Sequence, residues 1–303
     1  LRNTPNLAGC LMVGDISYVV YETTYEYPTG VWHYETFPAD LYYMDLDGEW
    51  IDADKNGFFD DHRGNIAPEI WVGRLKASTL SDDEVKLLQN YFDKNHLYRI
   101  GALSLPSKAL VYTDHFLGYY TNELTPRTVQ ALQSVYDEVV KVAYPQATNA
   151  SDYLRQLRQG YNLVRLLVHS GGFGHYFGNQ TDGKVYPSDI RTLDPKAFFY
   201  TITSCGNFDY RQKDYIGGWY VFTKSYGLLA IGDSGVHDLF AVLPEAFFPR
   251  LGKDIGEYFG LAYLHYLQEC VRQNARVDSV HNAIMIGDPL LSVRFDFSLS
   301  NGG

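Results

Sequence analysis

Eight stretches of the chain are apolar enough to be buried strands: GCLMVGD (9–15), EIWVGRL (69–75), KALVYTD (108–114), DEVVKVAYP (137–145), NLVRLLVHS (162–170), AFFYTITSC (197–205), YGLLAIGDS (226–234) and PLLSVRF (289–295). Several are apolar without alternation, as strands are when a parallel sheet is covered on both faces. Between them the spacing turns helical. Ser81 and Glu84 in SDDEVKLLQNYF form a capping-box pattern, and Thr125 stands as an N-cap with Pro126 in the first turn. SDYLRQLRQG runs from Ser151 to a terminating Gly160, and the longest helical run covers 254–273. Strands alternating with helices predict an α/β protein with a mostly parallel sheet. The stretch 99–108 has no periodicity and predicts a junction between two side-by-side subdomains, 1–104 and 105–298, with 299–303 as a tail.

The bulk numbers narrow the class. Of 303 residues, 46% are hydrophobic and 20% charged, as in an ordinary globular chain. The net charge is −11 with Lys and Arg dispersed, so the basic stripe of a nucleic-acid binder is missing. No apolar run reaches the roughly 18 residues of a membrane span. The opening LRNTPNLAGC has neither Met nor a signal pattern and reads as a processed or trimmed chain. Cys10, Cys205 and Cys270 are an odd number without metal-type spacing, which argues against a disulfide framework.

Residues 40–65 crowd Asp45, Asp47, Asp52, Asp54, Asn56, Asp60 and Asp61 into one loop. Asp52, Asp54, Asn56, Gly57 and Asp60 follow the D-x-D-x-N-G-x-x-D spacing of a calcium loop. Arg63 stands where an EF-hand has its bidentate Glu, so an EF-hand is not expected. Carboxylates this dense repel one another without a cation. The loop therefore predicts a structural Ca²⁺ held by Asp45, Asp47, Asp52, Asp54, Asn56 and Asp60; the plain alternative is a solvated acidic loop.

The strand AFFYTITSC ends at Cys205 with Gly206 next, and NLVRLLVHS ends at His169, followed by SGGFGH through His175. Functional groups in open α/β sheets gather at the carboxyl ends of strands. A thiol from one strand and an imidazole from its neighbour would make a nucleophile and its base. Backbone N–H groups of Gly171 and Gly172, with one near Gly206, would meet the oxyanion. Asp114 closes its strand in the same way and is a candidate to orient the imidazole; Asp209 is a candidate for the substrate pocket. The plain readings are a small buried thiol for Cys205 and a turn cap for Asp114.

The order of these pieces resembles the gingipain-type cysteine peptidases of the caspase-like clan. The resemblance runs through DLYYMDLDGEW (40–50), PEIWVGRL (68–75), the strand and turn at 162–175, TSCGNFDY (203–210), GGWYVFTKSYGLLAIGDSG (217–235) and IGDPLLSVRF (286–295). It implies a caspase-like three-layer α/β fold and endopeptidase activity through a Cys–His dyad with Cys205 as nucleophile. It also implies structural calcium, protein or peptide substrates and a removed propeptide. An extracellular or cell-surface setting goes with these, and so does the preference of some members for basic residues before the scissile bond. The turn departs from the family, which shows Gly-His-Gly soon after the strand, whereas this chain reads HSGGFGH. His175 keeps a preceding glycine, Gly174, and is the first choice for the base; His169, which Ser170 could orient, is the alternative.

GDSGVH (232–237) shares its first four residues with trypsin-like serine proteases. Val236 replaces the next glycine, and His237 is too near in sequence to serve Ser234 as base. In the family-like reading Ser234 and His237 touch substrate. The rival function class is a non-catalytic, calcium-supported interaction domain of a secreted or surface protein. NAS (149–151) and NQT (179–181) fit the N-glycosylation pattern.

Overall fold

The computed structural model describes residues 6–26, 30–171, 173–236, 243–274 and 277–294. Gly172, His237 and the tail 299–303 lie outside the described residues. The principal sheet has eight strands: β1 (Gly9–Val13), β2 (Trp71–Leu75), β3 (Lys108–Thr113), β4 (Glu138–Val142), β5 (Tyr161–Leu167), β6 (Ala197–Thr203), β7 (Leu229–Asp233) and β8 (Ala283–Gly287). Their order is β1-β2-β8-β7-β6-β5-β3-β4. Every neighbouring pair is parallel except β7–β8.

Period-two burial divides the side chains between two cores. Val111, Leu163, Phe199, Ile231 and Met285 face the helices Thr125–Gln133 and Phe259–Arg272. Tyr112, Val164, Tyr200, Ala230 and Ile284 face the helices Glu84–Arg99, Ala150–Gln156, Pro187–Leu193 and Ile216–Val221. The result is the three-layer α/β arrangement expected, with both faces of the sheet dry. Among the described residues no helix is long and apolar enough to cross a membrane.

Several elements differ from the pattern reading. Thr125 is not an N-cap, because a π-helical turn Tyr120–Leu124 runs straight into its helix, and the helix read from Ser151 is Ala150–Gln156, capped by Asn149, whose side chain accepts the Asp152 N–H at 2.8 Å. The eighth strand is AIMIG at 283–287, not PLLSVRF at 289–295. Pro289 has no N–H to give a ladder, and the described part of that segment runs on irregularly while Leu291 and Val293 still pack into the core. The helix at Glu84 is capped by Asp83, whose side chain accepts the Lys86 N–H at 2.9 Å. Ser81 instead donates its backbone N–H to Asp214 at 2.7 Å.

A hairpin of strands Val20–Glu26 and Trp32–Pro38 lies beside the carboxyl end of β7. The Ser234 hydroxyl reaches Pro38 O at 2.8 Å, and a Cβ added at Gly235 would meet the Phe37 ring at 2.7 Å. Beneath it, Arg74 of β2 is fully buried and paired with Asp40 at 2.6 Å, and Tyr210 donates to the same carboxylate at 3.0 Å.

Candidate functional site

Three parallel strands end in register at one edge. Thr113 of β3 pairs with Leu167 of β5, and Leu167 pairs with Thr203 of β6. The ladder continues one step further, with Asp114 N donating to Leu167 O at 2.8 Å and Val168 N to Thr203 O at 3.4 Å. Asp114 therefore follows the end of β3, while His169 and Cys205 each stand two residues beyond the pair Leu167–Thr203. Strand neighbours are about 4.8 Å apart, so the imidazole-bearing residue sits between the carboxylate-bearing and thiol-bearing ones.

Cys205 is half-buried and is not in a disulfide; its thiol donates to Val236 O at 3.4 Å. Gly206 has φ of +61°, a conformation that favours glycine, and this turns the chain sharply away from the sulfur. Its N–H donates to Gly235 O at 2.8 Å. On the far side of Val236, the backbone N–H meets the Glu35 carboxylate at 3.2 and 3.3 Å. Burial pushes the Glu35 carboxyl up from its ordinary value, and the Val236 N–H pulls it partly back.

The two histidines occupy opposite environments. His169 is exposed and begins the short strand His169–Gly171, its ring 6.0 Å from that of Phe116. His175 is fully buried in the partner strand Gly174–Tyr176. Its Nδ1 lies 2.5 Å from Ser170 Oγ and its Nε2 3.0 Å from Tyr220 Oη, so neither nitrogen is directed at the thiol. Burial drives its pKa down to about 3. The hairpin needs Gly174, where φ is +143° and a Cβ would lie 2.4 Å from Val185 O. His175, the first choice for the base from sequence, is thereby turned into the core by the cross-strand pair Ser170–His175. Gly171 pairs with Gly174 at the end of the same hairpin.

Asp114 is also buried. Its Oδ2 accepts the Gly178 N–H at 3.0 Å, its Oδ1 accepts the Phe116 N–H at 3.4 Å, and His115 Nδ1 lies 3.4 Å from Oδ1. Burial raises its pKa, while these N–H groups and the nearby imidazoles of His115 and His169 act the other way. Two further candidates have structural partners. The Asp209 carboxylate is gripped by Arg211 Nε and Nη2, both at 2.8 Å. Ser234 is buried, its hydroxyl 2.8 Å from Pro38 O and 3.0 Å from Asn282 O.

The acidic loop resolves into two groups. Asp54 and Asp60 converge with Glu22, and Asp45 and Asp47 converge with Glu69; within each group one oxygen per residue lies within 4.8 Å of the others. Three carboxylates so close suit a hard, oxygen-loving cation. Asp52 shapes the loop instead, accepting the N–H groups of Asn56 at 3.1 Å and Gly57 at 2.9 Å. Asn56 donates its amide to Glu22 at 2.9 Å and Asp54 at 3.0 Å. Asp45 already accepts from His62 Nε2, at 2.6 Å, and from the Gly48 N–H, at 2.7 Å. Spacing within the loop could not have revealed Glu22, Glu69 or, at the thiol, Glu35, because each arrives from a separate segment.

Comparison with solved structures finds the same fold elsewhere. The Arg-specific cysteine proteinase gingipain R (RgpB) superposes with a TM-score of 0.68 at 14% identity, over 96% of this chain and 65% of that one. The complex of Porphyromonas gingivalis RgpB pro- and mature domains gives 0.67 at 14%, covering 96% and 67%. A structure described as a protease gives 0.64 at 16%, covering 94% and 64%. The chain thus spans about two thirds of the length of these relatives. A search of curated protein sequences finds no match. The family model for peptidase family C25 matches residues 2–294. With the caspase-like sheet and its strand-end cysteine already in place, that match over nearly the whole length means that the chain belongs to peptidase family C25.

Proposed function

We propose that this chain is a cysteine endopeptidase with Cys205 as nucleophile, His169 as base and Asp114 as the group that holds the imidazole. The carrying observation is the shared register of Thr113, Leu167 and Thr203, which sets the three residues side by side at one sheet edge. The Cys205 thiol passes its proton to the His169 imidazole as the sulfur attacks the peptide carbonyl carbon. The tetrahedral oxyanion would be met by a backbone N–H of the short strand His169–Gly171, since the Gly206 N–H is already donated to Gly235 O. His169 then returns the proton to the leaving amine, the C–N bond breaks, and water hydrolyses the thioester with the same imidazole as base.

Selectivity has a candidate in Glu35. Asp209 is neutralised by Arg211, whereas among the described residues the polar contact of the Glu35 carboxylate is the Val236 N–H beside the thiol. That carboxylate would pair with a basic substrate side chain, the preference named for gingipain R. The two carboxylate groups of the acidic loop would hold structural Ca²⁺, bracing the hairpin through Glu22.

Purified protein is assayed on a peptide library with Cys205→Ala and His169→Ala variants. Cys205→Ala abolishes cleavage, and His169→Ala lowers kcat by about 10²–10⁴-fold, the usual contribution of a general base. Cleavage that survives Cys205→Ala would exclude the mechanism. Glu35→Gln is expected to remove any preference for Arg or Lys over norleucine. An iodoacetamide probe should label Cys205 first, because burial pushes the thiols of Cys10 and Cys270 up, the latter to about 11.

A further inference from the structure

We propose that His175 is a positioning residue: a buried neutral imidazole, protonated on Nδ1, that holds the base-bearing strand in place through Ser170. The activity part of this proposal rests on the reading of His169 as the base; the wiring does not.

A line of four side chains runs from the core to the site. Tyr153 Oη lies 2.9 Å from Tyr220 Oη, Tyr220 Oη 3.0 Å from His175 Nε2, and His175 Nδ1 2.5 Å from Ser170 Oγ. Tyr153, Tyr220 and His175 are fully buried, so each proton must be donated within the line or lose its hydrogen bond. The direction follows from its closed end. Among the described residues, Tyr153 Oη has Tyr220 Oη as its one polar partner, so Tyr153 donates and Tyr220 accepts. The Tyr220 hydroxyl proton is then left for His175 Nε2, which must be the unprotonated nitrogen. A neutral imidazole carries one N–H, which is therefore on Nδ1 and donates to Ser170 Oγ.

Ser170 is the residue after His169 and the cross-strand partner of His175. Anchoring its hydroxyl to a ring that is itself packed and hydrogen-bonded fixes the strand His169–Gly171 from behind, leaving His169 exposed on the other side. A base that must meet both a thiol and a leaving amine gains from such a support, since displacement by about 1 Å can cost about 10²-fold in rate.

The test combines spectra with kinetics. In protein labelled with ¹⁵N-histidine, the His175 signal should show the Nδ1–H tautomer. The His169 ring resonances should move in Ser170→Ala and Tyr220→Phe but stay in place in Tyr153→Phe, where Tyr220 can still donate. In turnover, Ser170→Ala and Tyr220→Phe should lose about tenfold or more in kcat with KM within about twofold. Ser170→Thr, which keeps the acceptor, should recover most of the loss. An Nε2–H tautomer in the unaltered protein, or His169 resonances indifferent to Ser170→Ala, would overturn the proposal. If the resonances respond but no variant or parent cleaves peptide, the support stands and the peptidase reading falls.

Discussion

Lowering the pH from 7 to 5 presses directly on His175. The ring is fully buried, and burial sets its folded pKa at about 3 against an ordinary 6.5. In the unfolded chain the imidazole binds a proton below about 6.5, whereas in the folded chain it stays neutral until about 3. The unfolded state therefore takes up more protons across that window, and stability falls as the pH drops through it, being fully present only above 6.5. For one such group the loss between pH 7 and pH 5 is about 2 kcal/mol. The assay is urea unfolding at both pH values for the parent and for His175→Gln, whose amide stays neutral throughout. His175→Gln should be the less stable protein at pH 7, yet its decline toward pH 5 should be smaller than the parent's by about 2 kcal/mol. Other histidines, including His62, whose pKa burial also lowers, contribute equally to both proteins and cancel. Identical declines would refute the reasoning, because a His175 able to take up a proton in the folded state would have to reach solvent.

Two further outcomes concern stability. Asp40→Asn leaves the buried Arg74 charge uncompensated and should cost about 3–5 kcal/mol by urea unfolding at pH 7; a loss under about 1 kcal/mol would mean that water reaches the pair. Calcium at about ten times its Kd should add about 1.4 kcal/mol per site to the folded state. A melt in calcium should therefore exceed one in chelator and lose about half the difference in Asp54→Asn, which leaves the Asp45, Asp47 and Glu69 group intact, while coincident melts would remove the metal from the acidic loop.

The strand ends that build the site were legible because β3, β5 and β6 are apolar on both faces and stop at Asp, His or Cys followed by turn residues. Which histidine faces the thiol was not legible. His169 and His175 are both polar breaks near a strand end, and only the pairing of Ser170 with His175 shows that the later ring turns inward. β8 was missed because its five residues, AIMIG, are short and precede a more conspicuous apolar run that Pro289 keeps out of the ladder. The cap of the helix at Glu84 shifted from Ser81 to Asp83 because Ser81 found a distant acceptor in Asp214. Glu22, Glu35 and Glu69 reach their neighbours through tertiary approach, which no local spacing encodes.

The order of the sheet also bears on how the chain reaches its native state. β1 and β2 leave the ribosome first, yet they join the remaining strands through β8, which emerges last. Until then the early pair has an unsatisfied edge, and the other five strands carry one as well. Completion of the sheet thus waits for β8 and closes a loop of some two hundred residues, a slow kind of contact to make. Cells producing truncated chains that stop before residue 283 would accumulate two incomplete halves, each prone to pair with a stranger.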